Sequence, residues 1–229
     1  LGQSDDRCRR AHRCIADAAH EMRTPLAILR LHAQNALDAG DDAERRKALH
    51  FLMGGVDRLA RVVNQLLTLA RLQPRPGQRD WPLVDLAVVV AEVLAEFTPW
   101  ILQRGLEPAL EIAEGDYRLR TDVGALGIAL QNLVTNAVDH SPPGGRVLVT
   151  LQREGPALLV SVEDEGAGIP ETDQSRVFER FYSKGSPNGA GLGLSIVSTI
   201  MIRLGGSVQL RNRAPRGLRA SLRSPAGQH

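Results

Sequence analysis

Residues Asp122 to His140 read DVGALGIALQNLVTNAVDH, and this stretch decides the fold. Leu126, Leu130, Leu133 and Ala137 recur at steps of four and three, which is one face of a helix. Asp122 stands just ahead of the run as its N-cap. A second stripe, Asn132, Asn136 and His140, repeats every four residues beside the first. The apolar face has to be buried, and the flanking sequence says against what. Arg146–Arg153 and Ala157–Asp164 alternate with period two around Glu154-Gly155-Pro156, which predicts a hairpin. Shorter strands are expected at Glu107–Ile112 and Tyr117–Thr121. Asp85–Phe97 and Leu192–Leu204 read as helices, the second stopped by Gly205-Gly206. Ser207–Arg213 and Leu218–Arg223 make a last hairpin. Helices interleaved with antiparallel strands predict an α+β sandwich over residues 81–229.

Further out, Gln73 to Asp80 holds Pro74, Pro76 and Gly77 and reads as a linker. Residues 1–72 are different in kind. Ile15, Ala19, Met22, Leu26, Leu29, Ala33 and Ala36 alternate steps of four and three, a heptad seam. Ala39-Gly40-Asp41-Asp42 stops one helix and starts another. The seam resumes at Leu49, Leu52, Val56, Leu59, Val63, Leu66 and Ala70. This predicts an antiparallel helical hairpin, completed as a four-helix bundle in a homodimer.

Four constellations carry chemistry. In the first heptad helix, His20 lies off the apolar seam, with Glu21 beside it and Thr24 one turn on. Pro25 removes an amide donor and bends the helix there. An exposed imidazole, a neighbouring base and a hydroxyl suit nucleophilic chemistry at His20; the same residues also suit a solvated helix surface. Asn132 and Asn136 offer amide oxygens, which are hard ligands of the kind Mg²⁺ accepts, or simply a polar face. Asp164 continues the buried phase of its strand and needs a partner there. Gly166 and Gly168 after it allow close backbone approach. Gly189, Gly191 and Gly193 lead into a helix whose first N–H groups can face phosphate. No strand precedes these glycines, which argues against a dinucleotide turn, and a P-loop lysine is absent.

Composition narrows the class without choosing the function. The 229 residues are 43% hydrophobic and 24% charged, ordinary for a folded domain, and the net charge of +2 gives no ground for nucleic-acid binding. Aromatics are only 3%, so the core must be aliphatic. Cys8 and Cys14, roughly 9 Å apart along a helix, are too far apart for a disulfide and read as reduced thiols. No apolar run reaches a membrane span; the best, Leu86 to Phe97, is interrupted by Glu92 and Glu96. The chain begins inside a helical pattern and reads as a fragment of something longer.

Taken in order, the constellations resemble the sensor histidine kinases of two-component systems, in the subclass related to EnvZ and QseC. AAHEMRTPLA (18–27) resembles that family's H box and LQNLVTNAVDHS (130–141) its N box. DEGAGIP (164–170) is similar to the G1 box, FERFY (178–182) to the F box and GAGLGLSIV (189–197) to the G2 box. The resemblance covers essentially the whole chain. It implies a GHKL-type (Bergerat) sandwich, as in Hsp90 and DNA gyrase, behind a phosphotransfer hairpin. It implies ATP and Mg²⁺ as cofactors, and a response-regulator receiver domain as partner beside the homodimer. No nucleic acid and no membrane contact are expected for this segment. The implied location is cytoplasmic, with the parent in the bacterial inner membrane.

The resemblance also implies roles. His20 would accept the phosphoryl group, Glu21 would help remove its proton, and Thr24 would position water for dephosphorylation. Asn136 would bind Mg²⁺, with Asn132 and His140 near the phosphates. Asp164 would accept from the adenine amine in a pocket lined by Gly166 and Gly168. Gly189, Gly191, Leu192 and Gly193 would sit by the phosphates, with Arg180 and Lys184 as further contacts around a lid. Glu165 departs from the frequent Asn of the G1 box, Ala190 from the frequent Thr of the G2 box, and Lys184 falls later than the usual Arg. Two other readings stand beside this one, an ATP-driven clamp or hydrolase on the same sandwich and a silent dimeric scaffold. The acceptor-like His20 counts against the first, and the retained Asn132, Asn136 and Asp164 count against the second.

Overall fold

The computed structural model describes residues 26–71, 81–180, 182 and 191–225. These fall into two compact units, one ending at Arg71.

The first unit is a helical hairpin, α1 (26–38) and α2 (Asp42–Arg71). Asp41 caps α2, its Oδ1 accepting from the backbone N–H of Ala43 and of Glu44, both at 2.8 Å. Glu44 reaches back, accepting from Gly40 N at 3.3 Å. Two of the orphan donors at the helix start are thereby satisfied locally. The helices meet through small residues: Ala36 and Ala48 are buried, and a Cβ on Gly55 would stand 2.6 Å from Leu29 Cδ2. His32 stacks on Phe51 with ring centroids 5.3 Å apart. The α2 seam, read in the sequence as one stripe, is two. Ala48, Leu52, Gly55 and Leu59 turn inward, whereas Leu49, Met53, Val56, Val63 and Leu67 are exposed on the single chain. On α1, Leu26, Ile28, Leu31 and Leu37 are exposed too.

The second unit runs β1 (Leu83–Asp85), α3 (Leu86–Gln103), β2 (Glu107–Ile112), β3 (Arg118–Arg120), α4 (Val123–His140), β4 (Arg146–Glu154), β5 (Ala157–Glu163), a single 3₁₀ turn, α5 (Gly193–Arg203), β6 (Ser207–Asn212) and β7 (Leu218–Pro225). Five strands form one sheet in the order β2-β4-β5-β7-β6, with β2–β4 parallel and the remaining pairs antiparallel. β1 and β3 form a separate two-stranded ribbon. The three helices pack on the large sheet, α3 on β2 and β4, α4 on β4 and β5, and α5 on β6 and β7. Alternation does the sorting: Val147, Val149 and Leu151 of β4 and Leu158, Val160 and Val162 of β5 are all buried. They meet Leu126, Leu130, Leu133 and Ala137, the stripe read in the sequence, now buried on α4. The result is the expected α+β sandwich.

Two elements depart from expectation. β1 takes residues with no strand signal of their own. α3 continues past Phe97 through Pro99 to Gln103, because Ile101, fully buried, anchors the last turn. At 18 residues and a mean hydropathy of 1.5, α3 is long and apolar enough to cross a membrane. Here it buries Leu86, Val89, Val90, Val93, Leu94 and Ile101 in the domain instead.

Candidate nucleotide-binding site

The site grows out of α4. Asp122 accepts from Ala125 N at 3.0 Å as the N-cap, and its other oxygen meets Arg203 Nη2 at 2.9 Å. Arg203 closes α5, so the end of α5 is tied to the start of α4. With the helices so matched, the opposite end of α5 lies against the asparagine stripe. A Cβ on Gly193 would stand 3.2 Å from Asn132 Oδ1 and 3.4 Å from Asn136 Oδ1. Two of the sequence motifs, 57 residues apart, thus share one spot. Asn132 is steadied by its own helix, Nδ2 donating to Ile128 O at 2.8 Å. Among the described residues no side chain caps α5, so the first N–H groups of that helix are potential anion donors.

His140 is one turn beyond Asn136 but belongs to the other end of the site. It is exposed, and its carbonyl oxygen would be 2.6 Å from a Cβ on Gly166. That contact explains why residue 166 must be glycine. The next loop holds Asp164, 5% exposed. Its Oδ1 accepts from Gly166 N at 2.8 Å and Leu218 N at 3.1 Å. Its Oδ2 receives no hydrogen bond among the described residues, leaving an acceptor for a ligand's N–H. Burial raises the Asp164 pKa above the usual carboxylate value; the N–H groups of Gly166 and Leu218, and the charges of His140 and Arg213, pull the other way. Glu165, in place of the family's frequent Asn, accepts from Arg146 N at 3.4 Å. Arg180 is exposed, and Gly191 and Leu192 lead into α5 with Leu192 fully buried.

Sequence reasoning missed what lies behind this loop. Glu163 is 3% exposed although alternation puts it on the polar face of β5. Arg219 Nε and Arg213 Nε meet its two oxygens at 2.7 and 2.9 Å. Arg213 also donates to Asp164 O at 2.9 Å. Asn212 accepts from Ile169 N at 2.8 Å and donates to Ile169 O at 2.7 Å. The only sequence signal was the density of arginines between Arg211 and Arg223. Of the other residues expected at the site, His20, Glu21, Thr24, Lys184 and Gly189 lie outside the described residues.

Fit to a nucleotide rests on chemistry. The described residues supply a buried carboxylate with one open oxygen, two amide side chains, and a helix start that a Cβ would obstruct. An adenine nucleotide needs an acceptor for its amine and donors for its phosphates, and Mg²⁺ needs a hard oxygen. The described set fits both.

Comparison with known proteins follows the same division. Residues 121–228 match the family model described as histidine kinase-, DNA gyrase B-, and HSP90-like ATPase. Residues 11–75 match the His Kinase A (phospho-acceptor) domain. The chain is 35% identical over 217 residues to the sensor protein QseC of Salmonella typhi, covering 93% of this chain and 47% of that protein. It is similar to the solved structure of the mycobacterial sensor histidine kinase MprB, at 31% identity and TM-score 0.56, over 63% of this chain and 97% of the other. At the level of fold alone, it matches histidine kinase ThkA solved in complex with response regulator protein TrrA, at 23% identity and TM-score 0.79, over 97% of this chain and 64% of that one. The chain spans just under half the length of the curated relatives it matches.

Proposed function

We infer the activity from the premise that this chain belongs to the sensor histidine kinases, and we propose that it phosphorylates itself on His20 with Mg-ATP and passes the phosphoryl group to an aspartate of a response-regulator receiver domain. The observation that carries the reading is the meeting of Asn132 and Asn136 with Gly193 on one side of α4, and of Asp164 with Gly166 on the other. One end suits phosphates and a cation; the other suits an adenine amine.

In this reading Asp164 Oδ2 accepts from the amine, while Gly166 and Gly168 let the ring approach. Asn136 offers its amide oxygen to Mg²⁺, with Asn132 beside it, and the N–H groups after Gly191 and Leu192 face the phosphates. Gly189, Arg180 and Lys184 complete that end, and His140 closes the pocket near Asp164. Bound Mg²⁺ would supply charge neutralisation on the phosphates. A ring nitrogen of His20 attacks the γ-phosphorus as the bond to the ADP oxygen breaks, and Glu21 takes the imidazole proton. Positioning and charge account for most of the catalysis. Thr24, neutral at pH 7, orients water when the phosphorylated regulator is hydrolysed.

The outward apolar stripe of α2, with Leu26, Ile28 and Leu31 of α1, supports a homodimer in which two hairpins make a four-helix bundle. By family membership, this segment works on the cytoplasmic side of a longer protein of the bacterial inner membrane.

The test is incubation with γ-labelled ATP and Mg²⁺. Label should stay on the protein as an acid-labile, base-stable adduct. His20→Gln should lose the label and keep nucleotide binding. Wild-type-level labelling of that variant would remove His20 as the acceptor.

A further inference from the structure

We propose that Asn212, at the end of β6, is a positioning residue for the adenine end of the site: its side-chain amide latches the loop that carries Asp164. The proposal rests on the nucleotide-site reading above.

The loop from Asp164 to Ile169 leaves β5 and has to hold one carboxylate oxygen at a fixed place. The hairpin β6–β7 grips it at both ends. At the first end, the Asp164 N–H donates to Leu218 O at 3.0 Å, Leu218 N donates to Asp164 Oδ1 at 3.1 Å, and Arg213 donates to Asp164 O at 2.9 Å. At the second end, among the described residues, Asn212 makes the grip. Its Oδ1 accepts from Ile169 N at 2.8 Å and its Nδ2 donates to Ile169 O at 2.7 Å. One side-chain amide therefore meets both backbone groups of Ile169, as a neighbouring strand would. The intervening residue is fitted to this contact. Gly168 has φ +73°, a conformation an L side chain resists, and a Cβ there would stand 2.7 Å from Asn212 Oδ1. Residue 168 is thus bare because the Asn212 amide occupies the space beside it.

Asn212 is exposed, and its contacts are made to a loop rather than to the core. Its stabilising effect falls on where Asp164 and Gly166 stand. Two typical net hydrogen bonds amount to about a thirtyfold change in an equilibrium constant. A loop still gripped at its first end should lose less than that, roughly tenfold.

The experiment uses the whole chain. Dissociation constants for Mg-ATP and Mg-GTP are measured for the wild type, Asn212→Ala, Asn212→Asp and Asn212→Ser. Asparagine to aspartate keeps the shape and the acceptor but sets a carboxylate oxygen against Ile169 O; serine can restore one bond of the two. We expect ATP binding to weaken about tenfold in the Ala and Asp variants and to recover partly in Ser. GTP binding, which does not draw on the Asp164 acceptor in the same way, should change less, so base discrimination narrows. The Ile169 amide of the unaltered chain should be protected from hydrogen exchange through the Asn212 Oδ1 acceptor, and this protection should disappear in Asn212→Ala; if that variant fails to fold, Asn212→Asp, which keeps this acceptor and loses only the donor to Ile169 O, still tests the difference between ATP and GTP binding. Equal weakening of ATP and GTP binding, or unchanged ATP binding, overturns the positioning role. If the wild type itself binds no ATP, the nucleotide-site reading has failed instead.

Discussion

Gly193→Ala separates stability from function, because the effects of the added methyl group largely offset each other in the first and not in the second. The new Cβ would stand 3.2 Å from Asn132 Oδ1, and 3.4 and 3.6 Å from Asn136 Oδ1 and Nδ2. The first distance is inside ordinary contact, so an amide has to yield by a few tenths of an ångström. Asn132 is anchored to Ile128 O, which leaves Asn136 as the softer partner. Forcing a side chain off its rotamer costs about 0.5–1.5 kcal/mol, a three- to tenfold rise in the dissociation constant if the native rotamer is the binding one. Against this, alanine is up to about 1 kcal/mol better than glycine in a helix, less at a first position. Strain and propensity largely offset each other in the folded state, so the melting temperature should stay within about 4 °C of the wild-type value while Mg-ATP binds three- to tenfold more weakly. Autophosphorylation should slow further, since phosphoryl transfer depends on position. Calorimetric titration, a thermal scan and a labelling time course measure the three quantities. Unchanged ATP affinity and labelling, with the protein folded, would show that the Gly193–Asn136 approach is unrelated to nucleotide binding.

Three other outcomes are expected. Burial raises the Asp164 pKa, so the stability this carboxyl lends is full below its unfolded pKa and is lost as pH rises through the folded one; at neutral pH its charge is a cost. Asp164→Asn should accordingly raise the melting temperature at pH 7 and weaken ATP binding, and a fall in both would refute the sign. Glu163→Ala removes the common partner of Arg213 and Arg219, whose side chains are 33% and 50% exposed. Because both arginines can turn to water, the loss should be roughly 1–3 kcal/mol in urea unfolding, below that for a fully buried pair; no measurable loss would leave the triad without weight. Val56→Glu, on the outward stripe, should give a folded monomer in light scattering, whereas Leu59→Glu, on the inward one, should lower helicity; a Val56→Glu dimer would place the interface elsewhere.

Much of the fold was legible because local pattern and burial agree. The Leu126–Leu130–Leu133–Ala137 stripe, the β4–β5 hairpin, the helix break within residues 39–42 and the Asp122 cap are short-range signals, and each stands where the sequence puts it. The misreadings came from partners far along the chain. β1 exists through β3, with Leu83 opposite Arg120, and three residues carry no pattern of their own. Pro99 looks like a stop, but the burial of Ile101 outweighs it. Glu163 reads as a surface residue because the arginines that cover it arrive some fifty residues later. The α2 heptads could not be divided between the inner and outer faces without α1 beside them. At the candidate site, Asn132, Asn136 and Asp164 stand out by spacing and phase; the proposed positioning residue Asn212 looks like any residue at the end of a strand.

Among the described residues the sheet is open at both sides, and β2 is one of its borders. Glu107 N bonds to Gly145 O and Ala113 N to Leu151 O, so the odd-numbered amides of β2 turn toward β4. By alternation the even-numbered ones turn away from the sheet. Pro108 stands at one of those outward positions and has no N–H to offer. An incoming strand from another chain would meet a missing donor there, flanked by the carboxylates of Glu107 and Glu111, both exposed. A border of this kind resists being extended. Extension of the sheet by a second chain is thereby opposed at this border.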